Sequence, residues 1–494
     1  MAFIDGTALN VAMPAIQTAL HAHGADLLWV ANAYLIVLAS LILVGGGLGD
    51  RLGRKRVFGA GILLFTLASA ASGASPSIGF LIDARAVQGM GGALMIPGSL
   101  SLIAASVAPE RRGRAIGTWS AATTLVTIAG PALGGILSDL GLWRLVFLIN
   151  VPLGIASLLA LAWVRESLDE SIEGPLDVAG AVLATLALAA LAWGFIEAAD
   201  RGFGDAAVLS ALGGGLISFL AFILVEARVP SPMLPLSFFR NADFSGTNLL
   251  TFLLYGALSA AMFFLALDLV QAQGYSKTLA GLTTLPFALI LAAMARWAGG
   301  VADRRGPREF LILGPSLVAF GFLWLGLFGG EGGPRAYWST ILPGILLFGL
   351  GMGCTVAPLS STVMGALPRR HVGTASGVNN AVARAAGALA IAILGSAAIL
   401  AFSSSLSRRA ADLGLGEAAR AALALHSQDL GATSVPPGLA PDIASAVQGA
   451  IDSSLSAAFR LVELAASALA AISAFVAFVT IGRRKPALED VTRP

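Results

Sequence analysis

Fourteen apolar runs divide this chain, separated by short polar turns. After an opening stretch at 1–20 they fall near 28–48, 57–75, 78–106, 115–137, 144–164, 176–197, 207–226, 243–267, 279–301, 310–329, 339–365, 374–402 and 457–481. Most of them are close to or above the ~20 residues that carry a helix across a bilayer. Lipid offers the backbone no hydrogen-bond partners, so a spanning segment must satisfy its own amides, and the runs read as helices. The expected fold is an all-α integral membrane protein. Twelve spans with two helices buried in loops is the alternative count. The segment 403–455 reads as a long extracytoplasmic loop, rich in alanine and serine around Pro436-Pro437, with a short surface helix over Leu413–Leu425.

Composition sharpens that picture. Hydrophobic residues make up 57% of the chain and charged residues 12%, about half the share of a soluble domain. Valine and isoleucine are sparse beside leucine, alanine and the 59 glycines, which favours close-packed helices over a barrel. The single Cys354 rules out a disulfide framework. Basic residues cluster at alternate turns: Arg51 to Arg56, Arg111/Arg112/Arg114, Arg304/Arg305/Arg308, Arg369/Arg370 and Arg483/Arg484/Lys485. By the positive-inside rule these turns face the cytoplasm, so both termini are expected inside a bacterial inner membrane. The basic balance thus reflects topology and not a nucleic-acid surface. No Walker-type phosphate loop is present, and the four histidines are scattered, so an ATP-driven pump, a membrane enzyme and a metal or cofactor site are not expected.

The most informative turn is Gly45-Gly46-Gly47-Leu48-Gly49-Asp50-Arg51-Leu52-Gly53-Arg54-Lys55-Arg56. A weaker copy, Gly299-Gly300-Val301-Ala302-Asp303-Arg304-Arg305-Gly306, lies between two later spans. Duplicated helical halves are what an alternating-access machine needs. The first turn resembles the signature loop of the major facilitator superfamily. Four further stretches extend the likeness: Asp5-Gly6-Thr7-Ala8-Leu9-Asn10-Val11-Ala12-Met13-Pro14, Arg85-Ala86-Val87-Gln88-Gly89, Ala129-Gly130-Pro131-Ala132-Leu133-Gly134-Gly135, and Trp143-Arg144 followed by Phe147-Leu148-Ile149-Asn150-Val151-Pro152. Together they resemble the fourteen-helix drug:proton antiporter branch of that superfamily.

The resemblance implies two six-helix bundles plus two additional central transmembrane helices. The corresponding divisions are 1–165 for the N-terminal bundle, 166–240 for the inserted pair and 241–402 for the first five spans of the C-terminal bundle. They continue with the loop 403–455, the last span 456–481 and a cytoplasmic tail 482–494. It also implies a functional monomer that exchanges protons for small, lipophilic molecules, with an accessory envelope protein as an optional partner. An exporter of one specific metabolite, or a nutrient uniporter or symporter, is the rival reading.

Asp5 and Arg85 are the expected proton-coupling pair. A carboxylate at membrane depth is costly unless it faces a cavity, finds a partner or takes up a proton, and capping of a short first helix is the plainer alternative. A permanently charged guanidinium likewise needs an acceptor, and Gln88 shares its helix face. Asn10 is expected near the same cavity. Gly130, Pro131, Gly134 and Gly135 make a kinked, tightly packing span, either a seal against leak or an ordinary packing kink. Gly46, Asp50, Arg51, Gly53 and Arg54 read as a conformational latch with Arg111 and Arg112 as partners; topology alone explains the basic residues but not Asp50.

Asp268 is expected near the outer end of its span, and Arg296 and Arg384 as the deep charges of the second half, which otherwise shows no central acidic residue. Neutral, zwitterionic and anionic cargo stay open. Only four residues precede Asp5, so the reading frame is expected to extend upstream with a further apolar segment.

Overall fold

A computed structural model describes residues 1–107, 109–167, 176–330, 332–368, 371–413, 415, 417–425, 427–430 and 433–482, leaving aside the side chains of 100, 101, 104, 105, 109, 110, 112–114, 116, 117, 120, 121, 124, 128, 303, 418 and 425. All fourteen apolar runs are helical. In chain order the helices are α1 (Ala2–Leu20), α2 (Gly24–Leu52), α3 (Arg54–Gly73), α4 (Ile78–Ser106), α5 (Pro109–Asp139), α6 (Leu145–Leu148), α7 (Asn150–Leu161), α8 (Val178–Arg201) and α9 (Ala206–Glu226). They continue with α10 (Ala242–Gln271), α11 (Lys277–Leu282), α12 (Leu285–Arg305), α13 (Arg308–Phe328), α14 (Tyr337–Thr340), α15 (Leu342–Gly365), α16 (Val372–Asp412), α17 (Glu417–Leu425) and α18 (Pro441–Thr480). Among the described residues ten of these helices are long and apolar enough to cross a membrane, and no strand occurs.

Local chemistry sets the boundaries. Side chains at the helix starts satisfy amides that would otherwise lack partners. Ser77 accepts from the Phe80 amide, Asp205 from Ala207 and Val208, Asn241 from Phe244, and Ser276 from Leu279. The two echoed turns reverse on glycines in the left-handed region, Gly53 at φ 109° and Gly306 at φ 94°, where a side chain would be strained.

The long loop expected at 403–455 is largely helical. Residues 403–412 continue α16, and 441–455 form the start of α18, so the last helix begins well before 456. Alanine is the best helix former, and its abundance there extends both helices instead of marking a loop. Leu406, Val447, Ile451 and Leu455 anchor these extensions by burial. The short surface helix is present as α17, although Leu423 within it is buried.

Helices α1–α7 pack mainly on one another, as do α10–α18. The α8–α9 hairpin leans on α2 and α16 and leaves most of α9 facing outward. The two groups meet along α2–α16, α1–α10 and α5–α11. Burial from water gives little driving force between helices in lipid, so close backbone approach matters instead. Gly45 lies against the Ala93 carbonyl, Gly89 against that of Tyr34, and Gly91 against the Phe65 backbone, clamping α4 between α2 and α3.

Candidate functional site

The clamping of α4 carries Arg85 and Gln88 into the interior beside α1. Asp5 and Gln88 are wholly buried and Arg85 is 1% exposed. Arg85 Nη1 donates to Asp5 Oδ2 at 2.5 Å and to Gln88 Oε1 at 2.6 Å, and its Nε reaches the Val30 carbonyl at 3.3 Å. Gln88 Nε2 donates to Asp5 Oδ1 and to Ser69 Oγ, both at 2.9 Å, and Asn150 Nδ2 approaches Asp5 Oδ1 at 3.4 Å. The guanidinium also stacks over Tyr34, 4.4 Å from the ring centre, with Phe147 at 5.9 Å. Asp5 is therefore an acceptor for three side chains and not a helix cap. A buried pair of this kind persists because its remaining hydrogen-bonding groups are satisfied. Asn150, Ser69 and Tyr34 complete the network; Tyr34 is one of several aromatics the sequence offers as cavity lining or packing, whereas it marks neither Asn150 nor Ser69 as a site residue. Asn150 lies within a recognised motif, but only the folded chain brings it to Asp5.

The network borders a cavity of about 240 Å³ between the two groups of helices. Asn10, Tyr34, Arg85, Ser259 and Arg384 line it together with Phe3 and Ile391. Arg384 lies within electrostatic reach of Tyr34 and Tyr255. It has no hydrogen-bond or ion-pair partner among the described residues, so the cavity presents a cation that the chain leaves without an anion.

The Gly-Pro span serves packing on both sides. A Cβ at Gly130 or Gly134 would overlap Thr7 or the Ala8 carbonyl of α1, and one at Gly135 would overlap the Lys277 carbonyl of α11. Gly281 of α11 abuts the Pro131 carbonyl in return. Asp139 finishes this contact by accepting from the Lys277 amide at 3.0 Å and the Thr278 amide at 2.8 Å.

At the same end of the bundle the segment 427–430 folds over the α1–α2 turn. His23 Nδ1 lies 2.5 Å from Asp429 Oδ1, Gln17 Nε2 donates to the Asp429 carbonyl at 2.8 Å, and buried Leu430 packs against Gly24. The hydrogen bond to Asp429 raises the His23 pKa above its ordinary value, against a smaller opposing effect of desolvation. A raised folded-state pKa means the contact is strongest below about 6.5 and is lost as pH rises through the folded value. Protection of the amides at residues 427–430, taken relative to their intrinsic base-catalysed exchange, is expected to be greatest in acid and to fall toward alkaline pH. His23→Ala should flatten that dependence; an unchanged profile would remove the bridge as its cause.

At the opposite end, Asp50 accepts from Arg54 Nε at 2.8 Å across the Gly53 turn, and Glu166 accepts from the Lys55 and Arg56 amides. Gly46 faces Pro97 of α4. Arg111 is exposed, and the Arg112 side chain lies outside the described residues, as do Arg369, Arg370 and 483–494. The structure thus pairs Asp50 within its own turn.

The second half departs from the sequence reading. Asp268 is 1% exposed near the end of α10, as expected, and Glu463 of α18 is fully buried, so this half holds two buried acidic residues. Among the described residues no group of three or more metal-ligating side chains occurs.

A family profile described as Major Facilitator Superfamily matches residues 1–392. The chain belongs to the major facilitator superfamily. This facilitator is 33% identical over 398 residues to the tetracenomycin C resistance and export protein of Streptomyces glaucescens, covering 80% of this chain and 73% of that protein. It is 35% identical over 395 residues to the cephamycin export protein CmcT of Amycolatopsis lactamdurans, covering 79% and 81%. The fold is similar to the solved structure of a bacterial homolog of the human lysosomal transporter Spinster, in an inward-facing and occupied conformation. That match has a TM-score of 0.62 at 18% identity and covers 98% of this chain and 96% of that one. The protein is accordingly a multi-pass membrane transporter related to antibiotic-resistance and export proteins, and not an enzyme.

Proposed function

We propose that this facilitator is a proton-coupled exporter of small antibiotic-like molecules, of the fourteen-helix type, with both termini in the cytoplasm. The observation that carries the reading is the closed Asp5–Arg85–Gln88 network on the wall of the cavity between the halves. A proton arriving at Asp5 removes the negative charge that holds Arg85. The freed guanidinium then needs another acceptor, so proton loading and the arrangement of α1 against α4 change together. The basic turn at Asp50 supports a cytoplasmic placement for that end. The His23–Asp429 and α5–α11 contacts then close the outer end. The α8–α9 hairpin corresponds to the two inserted helices, and the chain acts as a monomer with lipid around it.

Arg384 points to the cargo. A cation in a largely apolar cavity, without its own counter-ion, favours molecules bearing an anionic or strong acceptor group. The named substrates of relatives, tetracenomycin C and cephamycin among them, set the chemical scale.

Uptake into everted vesicles tests both parts, with tetracenomycin C, a cephamycin and the lipophilic cation ethidium as probes. Uptake of the first two should require the proton gradient and stop when an ionophore collapses it. Arg384→Ala should raise KM for the anionic probe about tenfold, the worth of roughly 1.4 kcal/mol of lost charge-assisted contact, and leave ethidium untouched. Gradient-independent transport of every probe would make the protein a facilitator or an exchanger driven by another ion.

A further inference from the structure

Asp268 and Glu463 lie away from the Asp5 network, and nothing in the proposed cycle uses them. Asp268 sits three residues from the outer end of α10. Its carboxylate is well provided for: Gln273 Nε2 donates to Oδ2 at 2.5 Å, and Ser456 Oγ donates to Oδ1 at 3.2 Å. Glu463 is the opposite case. It is completely buried, and neither carboxylate oxygen has a hydrogen-bond partner. Gln273, also buried, holds its amide nitrogen on Asp268 while its own oxygen lacks a donor. Ser456 and Glu463 are seven residues apart on α18, hence on one face and about 10 Å apart along the axis. Long side chains on a helix lean toward its N-terminus, so the Glu463 carboxyl extends toward the Asp268 level.

The charges around the pair do not neutralise it. From α13, Glu463 meets Gly326, and Gly330 beyond that helix meets Ser456. Tyr275 donates to the Gly333 carbonyl and Tyr337 to the Thr283 carbonyl. On α16, Arg408 is bonded to the Ser404 carbonyl and Arg409 to Ser405, while Arg384 lines the central cavity. Lys277 of α11 stands beside Asp139, Asp5 of α1 is held by Arg85, and α15 carries only Cys354. On α18 itself Arg460 is exposed and Asp452 is bonded by Gln448. Two buried carboxyls in such surroundings, one without any hydrogen-bond donor and neither bonded to a cation among the described residues, do not both stay ionised.

We propose that Asp268 and Glu463 form a second proton-binding site, in which Glu463 carries an exchangeable proton and Asp268 is its outer acceptor. The hydrogen bonds decide the assignment. Asp268 receives two donors and suits the charged form; Glu463 receives none and suits the neutral acid, whose own hydroxyl can donate. Among the described residues no third metal-ligating side chain joins the two carboxyls, so a proton suits the pair better than a metal cation. Because Asp268 lies nearer the outer end, protons enter there in the outward-open state and pass one step inward to Glu463. The role in transport rests on the proton-coupled reading above; the protonation itself does not.

Infrared difference spectroscopy of the full-length protein in lipid nanodiscs tests it directly. The wild type should show the carbonyl stretch of a protonated carboxyl at neutral pH, shifted on transfer to deuterium oxide. Glu463→Gln should remove that band and leave Tm nearly unchanged, since the amide mimics the neutral acid. Asp5→Asn should retain it. If Glu463→Gln does not fold, Ser456→Ala and Gln273→Leu serve instead, because loosening the bonds to Asp268 should displace the band. A wild-type spectrum without the band, or a band indifferent to all these changes, overturns the proposal. A sodium-dependent rise in Tm with no band would replace the proton with a metal cation. If the band behaves as expected but vesicle uptake ignores the gradient, only the proton-coupled reading fails.

Discussion

Asp5→Asn is expected to abolish gradient-driven uptake and to destabilise the protein by about 3–5 kcal/mol, the cost of leaving one member of a buried ion pair without its partner. The reason is specific to this geometry. Arg85 cannot shed its charge, is 1% exposed, and loses the carboxylate it is paired with. The amide introduced by Asp5→Asn still offers an oxygen, so the loss should fall toward the lower figure, with Asp5→Ala toward the upper. Combining Asp5→Asn with Arg85→Gln should recover most of the stability, because no stranded charge is left, yet should not recover transport. That split separates coupling from packing. Thermal unfolding in nanodiscs and vesicle uptake measure the two sides. A double variant that regained uptake would show the pair to be structural only.

Much of this site is legible in the sequence because its central parts are local. Asp5 and the Arg85-Gln88 pair each sit in a short motif, and the three-residue spacing places Arg85 and Gln88 on one face without knowledge of the fold. What the sequence does not reveal is which helices meet there. Asn150 and Ser69 lie 145 and 19 residues from the groups they bond, and only tertiary packing makes them neighbours.

Glu463 escapes a sequence reading for another reason. An acid within the run 457–481 is a signal in itself, and its seven-residue spacing from Ser456 marks a polar line on an alanine-rich helix. Length and hydropathy define that run, and one carboxyl barely changes either. The helical extensions of α16 and α18 are hidden similarly: alanine and serine look loop-like by polarity, whereas helix propensity and the spaced burials of Val447, Ile451 and Leu455 favour a helix.

The α5–α11 contact tells packing kink from seal, and Gly281→Val is the substitution that asks. At Gly281 even a Cβ overlaps the Pro131 carbonyl, and Gly135 meets the Lys277 carbonyl from the other side. These are backbone atoms of two helices in different halves, so no side-chain rotamer can relieve the clash. Overpacking costs about 1–3 kcal/mol, and here the relief is for the halves to part. That shifts the balance between closed and open outer ends by about five- to 150-fold toward open. In a Cys354→Ser background with a reporter cysteine at cavity residue Ser259, a membrane-impermeant maleimide added outside should then react at least several times faster. Gly134→Val, which crowds α1 within the same half, should impair folding instead and leave the labelling side unchanged. Equal labelling of Gly281→Val and its parent would reduce the glycine–proline span to a kink that packs but does not gate.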